Sequence, residues 1–345
     1  MPPVTGTGHN KVCLLGEAYG AVEETRDTPF VGPAGFRLER MVQQLGARRD
    51  DFLIMNVAWF RPPGNREPTE VEVEAYRPDW EGAIRGSGVK VVVPLGNVPL
   101  RSVLGHWGIQ GRRGYLEWSN RLDLWVLPTV YPSFIMRGNA NWTAAWLRDV
   151  EMALQVAKNG PPRLPERRLV LDPPLSEAHE WGAAWRYLEP QPALAVDIET
   201  PGREKDEDEV DKDLGAVAGT IYRCGLAYCH LGVTHALSVP WGSGYTERVR
   251  GLLLDAPTAL VWNRHFDVPR LRAHDVTAPC WHDVQEMWHV LHSDLPKTLE
   301  FVAPFLVPTQ PYWKDQSYAR AAYYNAVDAA LTAEGYDVLW GNGLA

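Results

Sequence analysis

The chain has 345 residues, of which 45% are hydrophobic, and it carries a formal net charge of −9 at pH 7. This length is enough for two domains of ordinary size, each with its own core. No apolar run is long enough to predict a membrane span, and the N-terminus lacks the basic start and apolar stretch of a secretory signal, so we expect a soluble, cytoplasmic protein.

The charge is distributed unevenly along the chain. Residues 1–160 carry 18 Lys and Arg against 17 Asp and Glu, whereas residues 161–345 carry 16 against 26. Residues 204–213 hold seven acids and two lysines, and we interpret this run as a solvated loop. An acidic balance disfavours nonspecific duplex binding, but it permits a short single-stranded end that is held through metal ions.

The cysteines show neither a close CxxC pair nor the spacing of metal ligands. The four are Cys13, Cys224, Cys229 and Cys280. In a reducing compartment such residues are typically buried thiols, so no disulfide framework is predicted.

The first predicted element is an apolar strand, Val12 to Leu15, that runs into the turn Gly16-Glu17-Ala18-Tyr19-Gly20. A strand that feeds a glycine-rich turn is a common ligand site in α/β proteins, and it is equally common as a purely structural turn. The sequence beyond the turn favours the first interpretation.

The first half of the chain resembles the family 4 uracil-DNA glycosylases in four segments that occur in the family's order. They are residues 16–35, which end in Thr28-Pro29-Phe30-Val31-Gly32-Pro33-Ala34-Gly35; Asn56-Val57 with residues 61–68; Pro94-Leu95-Gly96-Asn97; and Pro128-Thr129-Val130-Tyr131-Pro132-Ser133 with Arg137. The resemblance covers about residues 11–157. It implies the three-layer α/β fold of these enzymes, with a mostly parallel sheet between helices, and we assign this domain to residues 1–158.

The resemblance also implies a uracil pocket. Glu17 would position the attacking water, Phe30 would stack on a flipped uracil, and Asn56 would read its polar edge, with Tyr131 beside them.

A DNA wedge loop follows Tyr131 in the same resemblance. The segment holds Pro132, Ser133, Phe134, Ile135 and Arg137. It would lie against the DNA groove, with Phe134 and Ile135 as apolar contacts.

Two departures from the family pattern bear on activity. Phe60 and Tyr76 stand where the family has two cysteines of a 4Fe-4S cluster, so we expect no iron-sulfur cluster here. Tyr131 stands where the family has a histidine that donates to the uracil oxygen, and Tyr19 stands where it has proline. Losing one preorganised donor costs on the order of a hundredfold in rate, although a phenol can also donate.

Residues 159–192 are rich in proline, and we predict a semi-rigid linker with one helix over Ser176 to Leu188. Ser176 and Glu177 suit a helix start, and Trp181, Trp185 and Leu188 recur at roughly helical spacing. The second domain is predicted over residues 193–345.

Four carboxylates in the second domain predict a metal site. Asp197 ends the apolar strand that begins at Ala193, and Glu199 projects from the same face because strand side chains alternate. Asp267 and Asp328 occur later in the chain. Two Mg²⁺ or Mn²⁺ ions that act on a phosphodiester need several such oxygen ligands.

These acids lie in three ordered motifs that resemble the DEDDy branch of the DnaQ-like 3′ to 5′ exonucleases, as found in the proofreading domain of family A DNA polymerases. The motifs are Asp197-x-Glu199, Asn263-x-x-Phe266-Asp267 and Tyr324-x-x-x-Asp328, with Leu299-Glu300-Phe301-Val302-Ala303 and Tyr312-Trp313-Lys314 between the last two. The resemblance implies a ribonuclease H-like fold and release of 5′ monophosphates from single-stranded 3′ ends of DNA. Tyr324, one helical turn before Asp328, would orient the attacking water.

Two hypotheses describe what the halves do together. In the first, an active exonuclease carries a glycosylase-like module that binds uracil or DNA, as the missing cluster and Tyr131 favour. In the second, the chain is bifunctional and also excises uracil, as Glu17, Phe30 and Asn56 favour. Under either hypothesis, the chain could be the front part of a phage family A DNA polymerase or a separate exonuclease that works with such a polymerase. Its setting would be a bacterial cell or a phage-infected host.

Overall fold

The computed structural model of the protein describes residues 2–201, 221–242, 244–308, 310–316 and 320–341. The acidic run at 204–213 therefore lies outside the described residues. The chain divides into two compact units, which are Met1–Leu164 with Pro308–Tyr312, and Pro165–Val307 with Trp313–Ala345. Within the described residues, no helix combines the length and the apolar character that crossing a membrane requires.

The first unit is an α/β unit with five strands. The strands are β1 (Val12–Gly16), β2 (Leu53–Asn56), β3 (Val91–Pro94), β4 (Glu117–Ser119) and β5 (Leu124–Val126). Its helices are α1 (Ala21–Arg26), α2 (Pro33–Gln44), α3 (Glu70–Ser87), α4 (Asn97–Leu104), α5 (Ile109–Arg112), α6 (Pro132–Met136) and α7 (Thr143–Asn159).

The first sheet is mixed, and its strands β1, β2 and β3 are buried on both faces. Its order is β2-β1-β3-β5-β4, in which β4 pairs antiparallel with β5 and the other pairs are parallel. All five residues of β1 are buried, as a central parallel strand requires. Cys13 and Leu15 pack with Trp80 of α3 on one face, and α7 contacts β1 and β3.

In the described residues, the second unit has six strands and six helices. The strands are β6 (Glu166–Leu171), β7 (Leu194–Glu199), β8 (Arg223–His230), β9 (Val233–Pro240), β10 (Ala259–Val261) and β11 (Trp281–Asp283). The helices of the described residues are α8 (Leu175–Arg186), α9 (Tyr245–Asp255), α10 (Arg264–Ala273), α11 (Val284–Leu291), α12 (Leu299–Leu306) and α13 (Ala321–Leu339).

The second sheet runs in the order β11-β10-β7-β8-β9-β6. β7, β8 and β9 pair antiparallel, whereas β10 and β11 continue the sheet in parallel beyond β7. Val196 and Ile198 of β7 pack into a core with Trp181 and Leu252 from α8 and α9. α13 contacts β7, β8 and β9, and it packs so closely that a Cβ on Gly225 would lie 2.7 Å from the carbonyl oxygen of Asn325.

Much of the segment predicted as a linker belongs to the second unit. β6 pairs in parallel with β9, and α8, which overlaps the predicted helix, buries Trp181 and Trp185 in the core. The sequence did not predict β6 because it is an edge strand, Glu-Arg-Arg-Leu-Val-Leu, whose residues are only partly buried and follow a proline cluster.

Candidate functional sites

The first unit contains a cavity of about 770 Å³ at the carboxyl ends of its parallel strands. Glu17 follows β1, Gly96 follows β3, and Tyr131 follows the end of β5, so each strand delivers a residue to the cavity wall. Crevices at this edge of an α/β sheet are the usual ligand sites of such folds. The glycine-rich turn after β1 thus lines a cavity.

Phe30 and Asn56 lie behind this wall, against Gly16. A Cβ on Gly16 would lie 2.2 Å from Asn56 Oδ1 and 2.5 Å from the Phe30 ring, so only glycine fits there. Asn56 is 3% exposed, and its Oδ1 has no hydrogen-bond partner among the described residues. Buried polar atoms are normally satisfied, so this oxygen is an acceptor with unused capacity.

The Phe30 backbone is held in an unusual conformation. Its φ of 54° lies in the left-handed region, which costs free energy for a non-glycine residue. Arg49 donates to the carbonyl oxygens of Phe30 and Pro29 at 2.7 and 3.0 Å, and Gly35 approaches so closely that a Cβ would lie 1.8 Å from Phe30 O. The Phe30 ring lies 5.7 Å from that of Tyr131 at an angle of 33°. The ring is therefore fixed in place, and Phe30 is only 2% exposed.

Glu17 has the electrostatic environment of a proton acceptor. Burial is the main reason that its pKa rises to about 7; Glu67 adds to the rise and Arg137 opposes it. A carboxylate with a pKa near neutrality is suited to general base catalysis. Burial and the nearby Glu17 also raise the pKa of Tyr131, so its phenol stays protonated and can donate.

The predicted wedge residues lie on and around α6. Pro132 and Ile135 are buried, whereas Met136 and Arg137 are exposed. Arg137 donates to Ser133 Oγ at 3.1 Å. The ring of Phe134 lines the cavity and packs edge-on against Trp142 at 5.2 Å. Ser133, Phe134 and Arg137 of this loop therefore line the cavity, whereas Ile135, predicted as an apolar contact with DNA, is buried instead.

Sequence reasoning assigned no role to Glu23, which the structure places in the cavity wall. Its buried carboxylate accepts a hydrogen bond from the backbone N–H of Gly32 at 2.8 Å. A Cβ on Gly20 would lie 2.8 Å from the same carboxylate. Glu23 thereby braces the turn that carries Phe30. In the sequence, the signal that could have indicated this role of Glu23 was the pair of glycines Gly20 and Gly32.

Aromatic rings pack at the positions where the family has cysteines. Phe60 and Tyr76 stack with centroids 5.8 Å apart and an angle of 19°, and Trp59 contacts Tyr76 edge-on at 4.3 Å.

The second unit brings together three of its four predicted metal ligands. Asp197 and Glu199 lie on β7 and Asp328 lies on α13, and one carboxylate oxygen from each falls within 4.8 Å of the others. The strand alternation that directs Val196 and Ile198 to the core directs both acids to the face that α13 covers. Two distant parts of the chain therefore meet in one cluster.

Asp267 is not part of this group of three. It lies in the first turn of α10, is 5% exposed, and accepts a hydrogen bond from the backbone N–H of Ile198. Its charge still raises the pKa of Asp197. Asp267 thus contacts the stretch of β7 between the other two acids.

Lys314 and Trp313 surround Asp328, and sequence reasoning gave neither a role. Lys314 Nζ donates to Asp328 Oδ2 at 2.9 Å and to Tyr324 Oη at 2.8 Å. Trp313 Nε1 donates to Asp328 Oδ1 at 2.6 Å. A cation therefore already contacts the acidic cluster.

Asn325 of α13 holds Asp197 in place through hydrogen bonds. Its Nδ2 donates to Asp197 Oδ2 at 2.8 Å, and its Oδ1 accepts from Ser238 Oγ at 2.7 Å. It is fully buried, and Gly225 leaves the space that it occupies. A hydrogen-bonded neighbour of this kind fixes the orientation of a metal-ligating carboxylate.

The donor set fits divalent metal ions. Burial, and then the neighbouring acids, raise the pKa of Asp197 well above its ordinary value and raise those of Glu199 to about 7 and Asp267 to about 8. Lys314 is the one cation in contact with Asp328 among the described residues. A cluster of oxygen ligands with excess negative charge is what Mg²⁺ and Mn²⁺ prefer.

Without divalent metal, we expect the protein to lose stability as pH rises from about 5 to 8. The pKa of Glu199 rises from 4.5 to about 7 on folding, and that of Asp267 from 3.8 to about 8. In this window the folded state binds protons that the unfolded state has released, so the free energy of unfolding falls with pH. Thermal denaturation in EDTA checks this, and Mg²⁺ should raise the melting temperature more at high pH than at low pH. A Mg²⁺ shift of equal size at both ends of the range would contradict it.

The sequence comparisons point to uracil-DNA glycosylases. Residues 2–155 match the uracil-DNA glycosylase superfamily. A type-4 uracil-DNA glycosylase of Thermotoga maritima is 30% identical over 169 residues, which cover 45% of this chain and 83% of that protein. That of Sulfurisphaera tokodaii is 32% identical over 141 residues, covering 38% and 64%. That of Archaeoglobus fulgidus is 47% identical over 73 residues, covering 21% and 37%.

A solved structure described as the apo form of the nuclease is 16% identical and covers 52% of this chain and 84% of its own, with a TM-score of 0.34. A score at this level does not establish a common fold. The sequence matches do establish the family, and the chain belongs, through its first unit, to the uracil-DNA glycosylase superfamily.

Proposed function

We propose that the second unit is a metal-dependent 3′ to 5′ DNA exonuclease of the DEDDy type, with a ribonuclease H-like fold. The observation that carries the proposal is the cluster of Asp197, Glu199 and Asp328, whose oxygens lie within 4.8 Å of one another, with Tyr324 beside it. The second sheet supports this fold. In it, β7, β8 and β9 pair antiparallel, and β10 and β11 continue the sheet in parallel beyond β7.

The proposed roles follow from the contacts. Asp197, Glu199 and Asp328 would hold two Mg²⁺ or Mn²⁺ ions together with Asp267. When bound, such ions polarise the phosphodiester and lower the pKa of water. Lys314 donates to Tyr324 Oη, so the phenol keeps its own proton to direct at the attacking water. Burial and Asp328 raise the pKa of Tyr324, which keeps that proton in place at neutral pH.

Product analysis tests the proposal. Single-stranded DNA labelled at its 3′ end should release the labelled nucleotide first, as a 5′ monophosphate, in Mg²⁺ and not in EDTA. Internal fragments as the first products, or digestion in EDTA, would contradict it.

We expect Asn325→Ala to lower the exonuclease rate by about 10- to 100-fold, because Asp197 loses the donor that orients it. The readout is a Mg²⁺ titration of activity, in which half-maximal activity should require more Mg²⁺. Asn159→Ala, at the exposed end of α7, is the matched control and should change neither quantity. Equal Mg²⁺ dependence in Asn325→Ala and wild type would show that Asn325 does not position Asp197.

We propose that the first unit binds uracil in single-stranded DNA. The unpartnered Oδ1 of Asn56 carries this proposal, because the N–H of a flipped uracil would satisfy it while the base stacks on Phe30. The relatives that are named type-4 uracil-DNA glycosylases support the choice of ligand. We propose that this unit works without an iron-sulfur cluster, since Phe60 and Tyr76 stack at the cysteine positions.

Uracil excision is a second candidate function, which the raised pKa of Glu17, about 7, favours. The weak point is the donor to the leaving base, where Tyr131 stands in place of histidine. We expect Tyr131→His to raise uracil excision on the order of a hundredfold. Alkali-sensitive cleavage of a uracil-containing strand in EDTA measures it, with Tyr131→Phe as the control that removes the donor. A rate in Tyr131→His at or below that of wild type would contradict this account of the pocket.

The resemblance to polymerase proofreading domains leads us to propose that the protein acts with a family A DNA polymerase, in cis or in trans. A phage replication system is the setting that we propose for that partnership.

A further inference from the structure

A second cavity, of about 480 Å³, lies in the second unit beside the acidic cluster. It is lined by the end of β6, the start of β8 and the first turn of α13. The C-terminal end of β7, which carries Glu199, lies at the same edge of the sheet, because Glu199 pairs directly with Arg223 of β8. Arg223, which lines the cavity, is therefore the cross-strand neighbour of Glu199 in the acidic cluster.

Arg223 brings a guanidinium to the lining of this cavity. Its Nη1 donates to Asp172 Oδ1 at 2.6 Å and to Ser238 Oγ at 3.3 Å. Its Nε is buried and has no hydrogen-bond partner among the described residues. Asp172 is 53% exposed, so this ion pair is worth little and leaves the arginine able to bind another anion.

Arg320 and the start of α13 add further positive character. The exposed guanidinium of Arg320 forms no ion pair with any acid in the described part of the chain. The first turn of α13, a helix of 19 residues, has no acidic residue and no side-chain cap. Its free N–H groups and the positive end of the helix dipole favour an anion at this position.

We propose that this cavity binds a backbone phosphate of the single-stranded DNA whose terminal phosphodiester lies at Asp197, Glu199 and Asp328. The proposal rests on the proposed exonuclease function. Two arginines and a helix N-terminus provide several N–H donors around one anion, which suits a phosphate. Arg223 in the cavity lining is the cross-strand neighbour of Glu199, so this phosphate would follow the terminal phosphodiester along the strand. The cavity would thus hold the strand in register for removal of one nucleotide at a time.

The test compares two substrates in Mg²⁺, a thymidine oligonucleotide and the p-nitrophenyl ester of thymidine 5′-monophosphate. The ester reaches only the carboxylates. Arg320→Ala should raise KM for the oligonucleotide about tenfold, the loss of one charge-assisted contact, with kcat nearly unchanged. It should leave hydrolysis of the ester unchanged. Arg248→Ala, an exposed arginine on α9, is the matched control and should alter neither substrate.

Each other outcome overturns the proposal in a distinct way. If Arg320→Ala lowers activity equally on both substrates, or changes activity on neither, the cavity does not hold the strand. The exonuclease proposal would be unaffected by either result. Weaker inhibition by free thymidine monophosphate in Arg320→Ala, with an unchanged KM for the oligonucleotide, would mean that a free nucleotide binds there. If wild type hydrolyses neither substrate, the exonuclease proposal fails and the strand site fails with it.

Discussion

Replacing Asp197 with Asn should lower Mg²⁺-dependent DNA digestion at least about a thousandfold, because metal ions supply several kcal/mol of transition-state stabilisation. Asp197 accepts a hydrogen bond from Asn325. The charges of the other three acids all raise its pKa. Asparagine keeps the shape of the side chain and removes its charge. The rate of mononucleotide release under single-turnover conditions is the measurement.

The same substitution should raise thermal stability in EDTA, since it removes one charge from a cluster of like charges. Asp255→Asn, at an exposed ion pair with Arg186, is the matched control and should retain full activity. If Asp197→Asn digests DNA at the wild-type rate, the acidic cluster takes no part in catalysis.

Replacing Asp149 with Ala should lower the free energy of unfolding of the first unit by about 3–5 kcal/mol, because it leaves a buried charge without its partner. Arg113 donates to Asp149 from Nε at 2.9 Å and from Nη2 at 2.6 Å, and both side chains are fully buried. Thr129 Oγ1 donates to the same carboxylate at 2.7 Å. This network anchors the segment that leads to Tyr131.

Urea denaturation followed by tryptophan fluorescence measures the change. Asp255→Ala provides the comparison, because it breaks an exposed ion pair worth about 1 kcal/mol or less. Midpoints that shift equally in the two variants would show that the buried network does not stabilise the fold.

The sequence predicted those parts of the protein that local patterns determine. The apolar run Val12 to Leu15 forms β1, and the Ala-rich segment with Tyr324 and Asp328 forms α13. Alternation along β7 correctly placed Asp197 and Glu199 on one face. The match of residues 2–155 to the uracil-DNA glycosylase superfamily confirmed the family resemblance of the first half of the chain.

Other parts depend on contacts between distant residues, which no local pattern encodes. Asn325 reaches Asp197 only because Gly225, a hundred positions earlier in the chain, leaves space for it. Lys314 reaches Asp328 from the segment that precedes α13. Glu23 braces the Phe30 turn through a single backbone N–H, and β6 joins the sheet as a polar edge strand. These features follow from tertiary packing.

We propose that one chain combines a metal-dependent exonuclease with a uracil-binding domain. The most direct test is a gel assay of end-labelled single-stranded DNA with one internal uracil, incubated in EDTA or in Mg²⁺ and then treated with alkali. We predict an intact strand in EDTA and a ladder from the 3′ end in Mg²⁺. An intact strand in both conditions would contradict the exonuclease assignment, and alkali-sensitive cleavage at the uracil in EDTA would show that the first unit is an active glycosylase.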